Sequence, residues 1–142
     1  MKSSRIRRRL VGTAAAAVLA GAGVLVAAPA AVAKANLLAI DKVALHDIGL
    51  KVKVTYSCDT GMNHQLVANA VNLNQPGHDV SIAAGTLKKE KLVCDYSDHT
   101  TQVIMRAPVA SHFAKGDKVK VTVFYFDDEG FSYAHAEKVS VV

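Results

Sequence analysis

From Leu50 to Cys58 apolar and polar residues alternate without a break. Leu50, Val52, Val54, Tyr56 and Cys58 fall on one side, and Lys51, Lys53, Thr55 and Ser57 on the other. Successive side chains of an extended backbone point to opposite faces, so this pattern makes a half-buried strand and excludes an amphipathic helix. Lys118 to Val123 repeats the pattern and runs on into Phe124-Tyr125-Phe126. Further strands are expected over 37–45, 65–73, 80–83, 91–96, 101–107 and 131–141. Turn sequences part them at His46–Gly49, Asp59–Gly61, Gln75–Gly77 and Lys115–Asp117. Beyond position 33 no useful window carries helical periodicity. Seven or eight short strands in the remaining 109 residues predict an all-β fold, an antiparallel immunoglobulin-like β-sandwich.

The first 33 residues read differently. Lys2, Arg5, Arg7, Arg8 and Arg9 precede a stretch from Leu10 to Ala28 that is nearly all Ala, Val, Leu and Gly, followed by Pro29 and Ala31-Val32-Ala33. A basic start, an apolar stretch and a small-x-small site form a secretory signal peptide, which assigns 1–33 to the signal and 34–142 to a single secreted domain. Cleavage falls after Ala33, or after Ala35 at the overlapping site. The arginine run also fits a twin-arginine signal, so both the general secretory and the twin-arginine routes stay open. The apolar stretch is too rich in Ala and Gly for a strong membrane span, and no cysteine follows the cleavage site to carry a lipid. An extracellular protein without a stable membrane anchor is therefore expected.

Export changes the charge balance. The whole chain has 17 Lys+Arg against 12 Asp+Glu, a net charge of +5. Five of the basic residues and none of the acidic ones lie in the first 33, leaving 12 of each sign. A balanced domain lacks the basic face that phosphate neutralisation needs, so nucleic acid is excluded as the expected partner.

Two cysteines, Cys58 and Cys94, remain after export, and an even pair in an oxidising compartment predicts one disulfide. The run Val54-Thr55-Tyr56-Ser57-Cys58, then Leu92-Val93-Cys94-Asp95 with His99, then Phe113-Ala114-Lys115-Gly116-Asp117, resembles a group of small secreted actinobacterial immunoglobulin-like proteins of unknown function. The resemblance covers nearly the whole exported domain. It implies the fold and the export, and brings no catalytic residue with it.

The final hairpin supplies the candidate site. With Asp127-Asp128-Glu129-Gly130 as a four-residue loop, Phe126 faces Phe131, Phe124 faces Tyr133, Thr122 faces His135 and Lys120 faces Glu137. The lysines cannot point into a core, so the valine face is the buried one. Phe124, Phe126, Phe131 and Tyr133 then form an exposed aromatic patch, with Thr122 and His135 as adjacent polar contacts. The expected function is a secreted, non-enzymatic binding module for an extracellular protein or a cell-envelope glycan. Its alternatives are an inhibitor of an extracellular hydrolase, presenting Asn74–His78 or Asp95–Thr100, and a small-ligand or metal carrier.

Other features point away from catalysis and cofactors. His46, His64, His78, His99, His112 and His135 show no chelating spacing, so no metal site or cofactor is expected. Asp127-Asp128-Glu129 lacks the alternating oxygen ligands of a calcium loop and reads as a solvated turn. Asp95, Asp98 and His99 are the nearest approach to an acid/base group, with no nucleophile motif beside them. Lys88-Lys89-Glu90-Lys91 reads as a solvated charge run. The pattern fixes no oligomeric state.

Overall fold

The structure, a computed structural model, describes residues 37–47, 49–75 and 80–142. The expected signal peptide and loop positions 76–79, which include His78 and part of the Gln75–Gly77 turn, lie outside the described residues. Seven strands follow in chain order: β1 (Leu38–His46), β2 (Gly49–Tyr56), β3 (His64–Asn72), β4 (Ile82–Leu87), β5 (His99–Arg106), β6 (Lys118–Asp127) and β7 (Ser132–Val141). All pair antiparallel, in the order β1-β2-β5-β4-β3-β6-β7. The expected all-β, antiparallel fold is what the chain forms. Two separate sandwich sheets are not what the hydrogen bonds draw, because one sheet curls until β1 approaches β7 and gives a nearly closed, barrel-like wall.

The alternation read from the sequence becomes the inner face of that wall. Leu50, Val52, Val54 and Tyr56 of β2 meet Val119, Val121, Val123 and Tyr125 of β6 inside, all at most 2% exposed. Leu66, Ala68 and Ala70 of β3 and Val103 and Met105 of β5 complete the core. Small residues on β3 and β4 let the walls come close. A Cβ on Gly85 of β4 would overlap the carbonyl oxygen of Ile104 on β5, so only glycine fits there.

Two places interrupt the wall. Between β4 and β5 the ladder is a single pair, Ala84 with Arg106. At the other seam, β1 and β7 approach without a ladder. There Lys138, half-buried and paired with Val121 on β6, reaches across the seam and donates its ammonium to the carbonyls of Ile40 (3.2 Å) and Asp41 (2.9 Å). Those carbonyls are free because β1 bulges at Asp41, between Ile40 paired with Val54 and Lys42 paired with Lys53. Among the described residues no helix is long and apolar enough to cross a membrane.

Segment 91–96, expected as a strand, is not one. A 3-10 turn at Lys89–Lys91 leads into irregular chain. The segment is held by the disulfide between Cys58 and Cys94, by the Tyr96 N–H donating to the Cys58 carbonyl at 3.1 Å, and by the Val93 N–H donating to the Tyr56 hydroxyl at 3.0 Å. Its apolar run Leu92-Val93-Cys94 is held by these ties, with Leu92 and Cys94 half-buried and Val93 exposed, and not by a ladder.

Two outcomes follow from these ties. Replacing both cysteines with alanine removes a 36-residue loop closure and lowers unfolding free energy by roughly 3–4 kcal/mol, measured by urea denaturation. Lys138→Met removes two charge-assisted hydrogen bonds at the seam and costs about 1–2 kcal/mol. Hydrogen exchange then accelerates in β1 and β7 before it does in β3.

Candidate functional site

The β6–β7 hairpin keeps the expected faces over most of its length, but not the expected register. Thr122 pairs with Glu137, Phe124 with His135, and Lys120 with Val139, a shift of two residues that leaves every side chain on its predicted face. Lys120 still reaches Glu137 diagonally at 3.0 Å, and the Thr122 hydroxyl donates to the same carboxylate at 3.2 Å. Close to the tip the register changes by one. Phe124 pairs with His135 but Tyr125 pairs with Tyr133, which leaves Ala134 as a bulge with φ of 32°.

That bulge breaks up the aromatic patch. A one-residue slip moves a side chain to the opposite face, so Tyr133 leaves the side of Phe124 and Phe126 for the side of Tyr125. Phe124 and Phe126 stay on the outer wall, edge to face with ring centroids 6.4 Å apart, and both are half-buried. Thr122 is half-buried beside them and His135 is exposed. Phe131 lies just before β7 and is 60% exposed. The four aromatics therefore divide into an outer-wall pair and two residues at the end of the barrel.

Three connections meet at that end: β2–β3 (57–63), β4–β5 (88–98) and β6–β7 (128–131). Each is tied to another. The disulfide joins the first two, and the Thr60 and Tyr96 hydroxyls lie 3.3 Å apart. Asn63 donates to Asp128 and accepts from Lys89, linking all three, and Lys89 lies 3.9 Å from Asp128. Below them the Tyr125 hydroxyl donates to the Ser57 carbonyl at 3.0 Å in the core, and burial pushes that hydroxyl's pKa well up.

Between the first and third connections opens a cleft of about 490 Å³, lined by Asp59, Met62, Asn63, His64, Asp127, Asp128, Glu129 and Tyr133. The His64 ring lies edge-on to Tyr133 at 4.9 Å and to Tyr125 at 6.3 Å, and its buried Nδ1 has no hydrogen-bond partner. Asp127 shapes the tip. Desolvation pushes its carboxyl up, but the N–H groups of Phe131 (2.8 Å) and Glu129 (3.0 Å) and the Tyr133 hydroxyl outweigh that and hold it below the usual carboxylate range. The same hydrogen bond to Asp127 raises the Tyr133 pKa.

Of Asp95, Asp98 and His99, the nearest approach to an acid/base group in the sequence, Asp95 and His99 meet at this end. His99 Nε2 lies 2.7 Å from Asp95 Oδ1, and the Ser97 N–H donates to the same oxygen at 2.9 Å. The His99 ring packs against Tyr56 at 5.8 Å. These ties hold Tyr96, 57% exposed, at a φ of 65° that bulky residues rarely adopt. His99 is the main reason the Asp95 carboxyl sits below its ordinary range, with the Ser97 amide second.

Sequence reasoning did not single out His64 for a site, and it reached Tyr96 only within the Asp95–Thr100 loop of the inhibitor alternative. His64 could have been found as the polar member of the inward series His64, Leu66, Ala68, Ala70 at a strand's mouth. Tyr96 has no such periodic signal. Among the described residues no three His, Cys, Asp or Glu side chains approach as a metal cluster. Comparison of the chain with protein-family models, curated proteins and solved structures returns no match.

A depressed carboxyl pKa contributes stability above the unfolded-state value and loses it as pH falls through the folded one. The Ser97 amide resonance, followed by NMR on acidification, therefore titrates with a midpoint below the usual Asp value of about 3.9. In His99→Ala that midpoint moves up. An unmoved midpoint would remove His99 as the cause.

Proposed function

We propose that the protein is an exported, non-catalytic binding module that engages an extracellular protein or a cell-envelope glycan through the loop-bearing end of its barrel. One observation carries this reading. Tyr96, Phe131 and Tyr133 are the only phenylalanine and tyrosine side chains of the described residues that are exposed, and all three stand on that end. Tyrosine and phenylalanine offer large contact area for little side-chain entropy. The connections bearing them are already fixed by the disulfide, by Asn63 and by the Asp95–His99 pair, so little ordering cost remains to be met on binding. Asp59, Asp128 and Glu129 around the cleft favour a ligand that brings positive charge.

The non-catalytic part of the reading rests on how the reactive groups are used. Both cysteines are joined, and Asp95 and His99 are spent on each other in fixing a turn. Export rests on the 1–33 pattern and on a disulfide that suits an oxidising compartment, by either secretory route. The immunoglobulin-like arrangement, and with it kinship to the small secreted actinobacterial proteins, is part of the same proposal. In such an arrangement the single β4–β5 pair and the ladder-free seam would be where the one sheet parts into β1-β2-β5 and β4-β3-β6-β7.

A second reading, inhibition of an extracellular hydrolase, is favoured by the rigidity of Asp95–Thr100 alone. The Asn74–His78 connection lies partly outside the described residues.

Affinity capture from the producer's envelope and culture supernatant, followed by titration of the purified ligand, tests the proposal. Wild-type protein retains a ligand that Tyr96→Ser/Phe131→Ser/Tyr133→Ser, checked to be folded, binds at least tenfold more weakly. Phe126→Ser on the outer wall binds as wild type. Loss with Phe126→Ser and retention by the triple variant would return the site to the hairpin's outer face. Inhibition of a secreted protease abolished by Tyr96→Ser would establish the second reading.

A further inference from the structure

On the outer wall of β1 and β2, away from the cleft, Lys42 and Lys53 are direct cross-strand partners. Lys51 lies two residues along the same face, opposite Ala44, and Gln102 of β5 stands beside Lys53 on its other side. Like charges placed directly opposite each other on an antiparallel pair repel and destabilise it. A chain that held them only as a solvated surface would gain by separating them or interleaving carboxylates. Here it does neither. Lys89 and Lys120 have Asp128 and Glu137 within 4 Å, and Lys138 caps carbonyls. Lys42, Lys51 and Lys53 meet no carboxylate among the described residues. The carboxylate at the nearby β1 bulge, Asp41, is turned to the Thr55 hydroxyl at 2.9 Å.

The three ammonium-bearing side chains surround a hollow of about 200 Å³ whose remaining lining is Ala44 and Gln102. From this geometry we infer a second binding site: Lys42, Lys51 and Lys53 hold a tetrahedral oxyanion of the phosphate or sulfate type, with Gln102 as a neutral donor. Each lysine supplies three donors and a point charge, and an anion between them turns cross-strand repulsion into attraction. A hollow of this size accommodates one such group. The exported domain has balanced charge, so the site is a local accumulation and not a reflection of general basicity.

The test titrates the oxidised protein with sodium phosphate at ionic strength held constant with chloride, reading backbone amide shifts. The Lys42, Ala44, Lys51 and Lys53 amides shift saturably, and Lys51→Gln/Lys53→Gln weakens the apparent affinity at least tenfold. Lys88→Gln/Lys91→Gln, which removes the same charge elsewhere, leaves it unchanged. Vesicles of phosphatidylglycerol and soluble polyphosphate, run with the same variants, separate the sources. Selective loss with the first variant on vesicles alone assigns a lipid headgroup, and selective loss on free phosphate or polyphosphate assigns a soluble or polymer-borne one. Equal weakening by the two double variants, or no saturable shift with any probe, overturns the site.

Discussion

The disulfide between Cys58 and Cys94 carries a junction that backbone hydrogen bonding leaves thin. β4 and β5 share one ladder pair, Ala84 with Arg106, at the end of the barrel away from the cleft. Close approach of Gly85 to Ile104 holds the walls together beside that pair. At the other end the chain between these strands has no ladder partner, and the covalent bond to the end of β2 fixes it. A bond that closes the fold where strands diverge also locates what grows out of that divergence. Tyr96 keeps its left-handed backbone because Cys94, Asp95 and the Cys58 carbonyl fix the chain on both sides of it.

The strands were largely legible, since period-two alternation with one apolar face specifies both extended structure and which side is inward. Leu50, Val52, Val54, Tyr56 and Cys58, and Val119, Val121, Val123 and Tyr125, are buried as that alternation requires, whereas Ser57, placed outside by the same pattern, is buried past the end of β2 and accepts from the Leu37 N–H. The lysines at 118 and 120 set the parity of β6 correctly, and the parity survived a two-residue error in register because side chains repeat every two residues. Segment 91–96 misled because a short apolar run, Leu92-Val93-Cys94, is compatible with a strand without showing that a neighbour supplies a ladder.

The site was less legible because it depends on departures from periodicity. The bulge at Ala134 carries no glycine or proline to announce it, yet it decides which side Tyr133 takes. The edge of His64 against Tyr133 follows from that slip, and so does the aromatic wall of the cleft. His64 Nδ1, buried without a partner, is a cost of about 1–3 kcal/mol that the surrounding packing must offset. Such local costs gather at surfaces kept for contact with other molecules, where foldability is not the only demand on the sequence.

The ammonium of Lys138 has a further consequence. Among the described strands β1 and β7 end the sheet, and an open edge is a template on which another chain can add a strand. Any strand adding to β7 at this level would have to displace the ammonium from the Ile40 and Asp41 carbonyls and break both hydrogen bonds. The side chain that completes the wall thus also bars its extension.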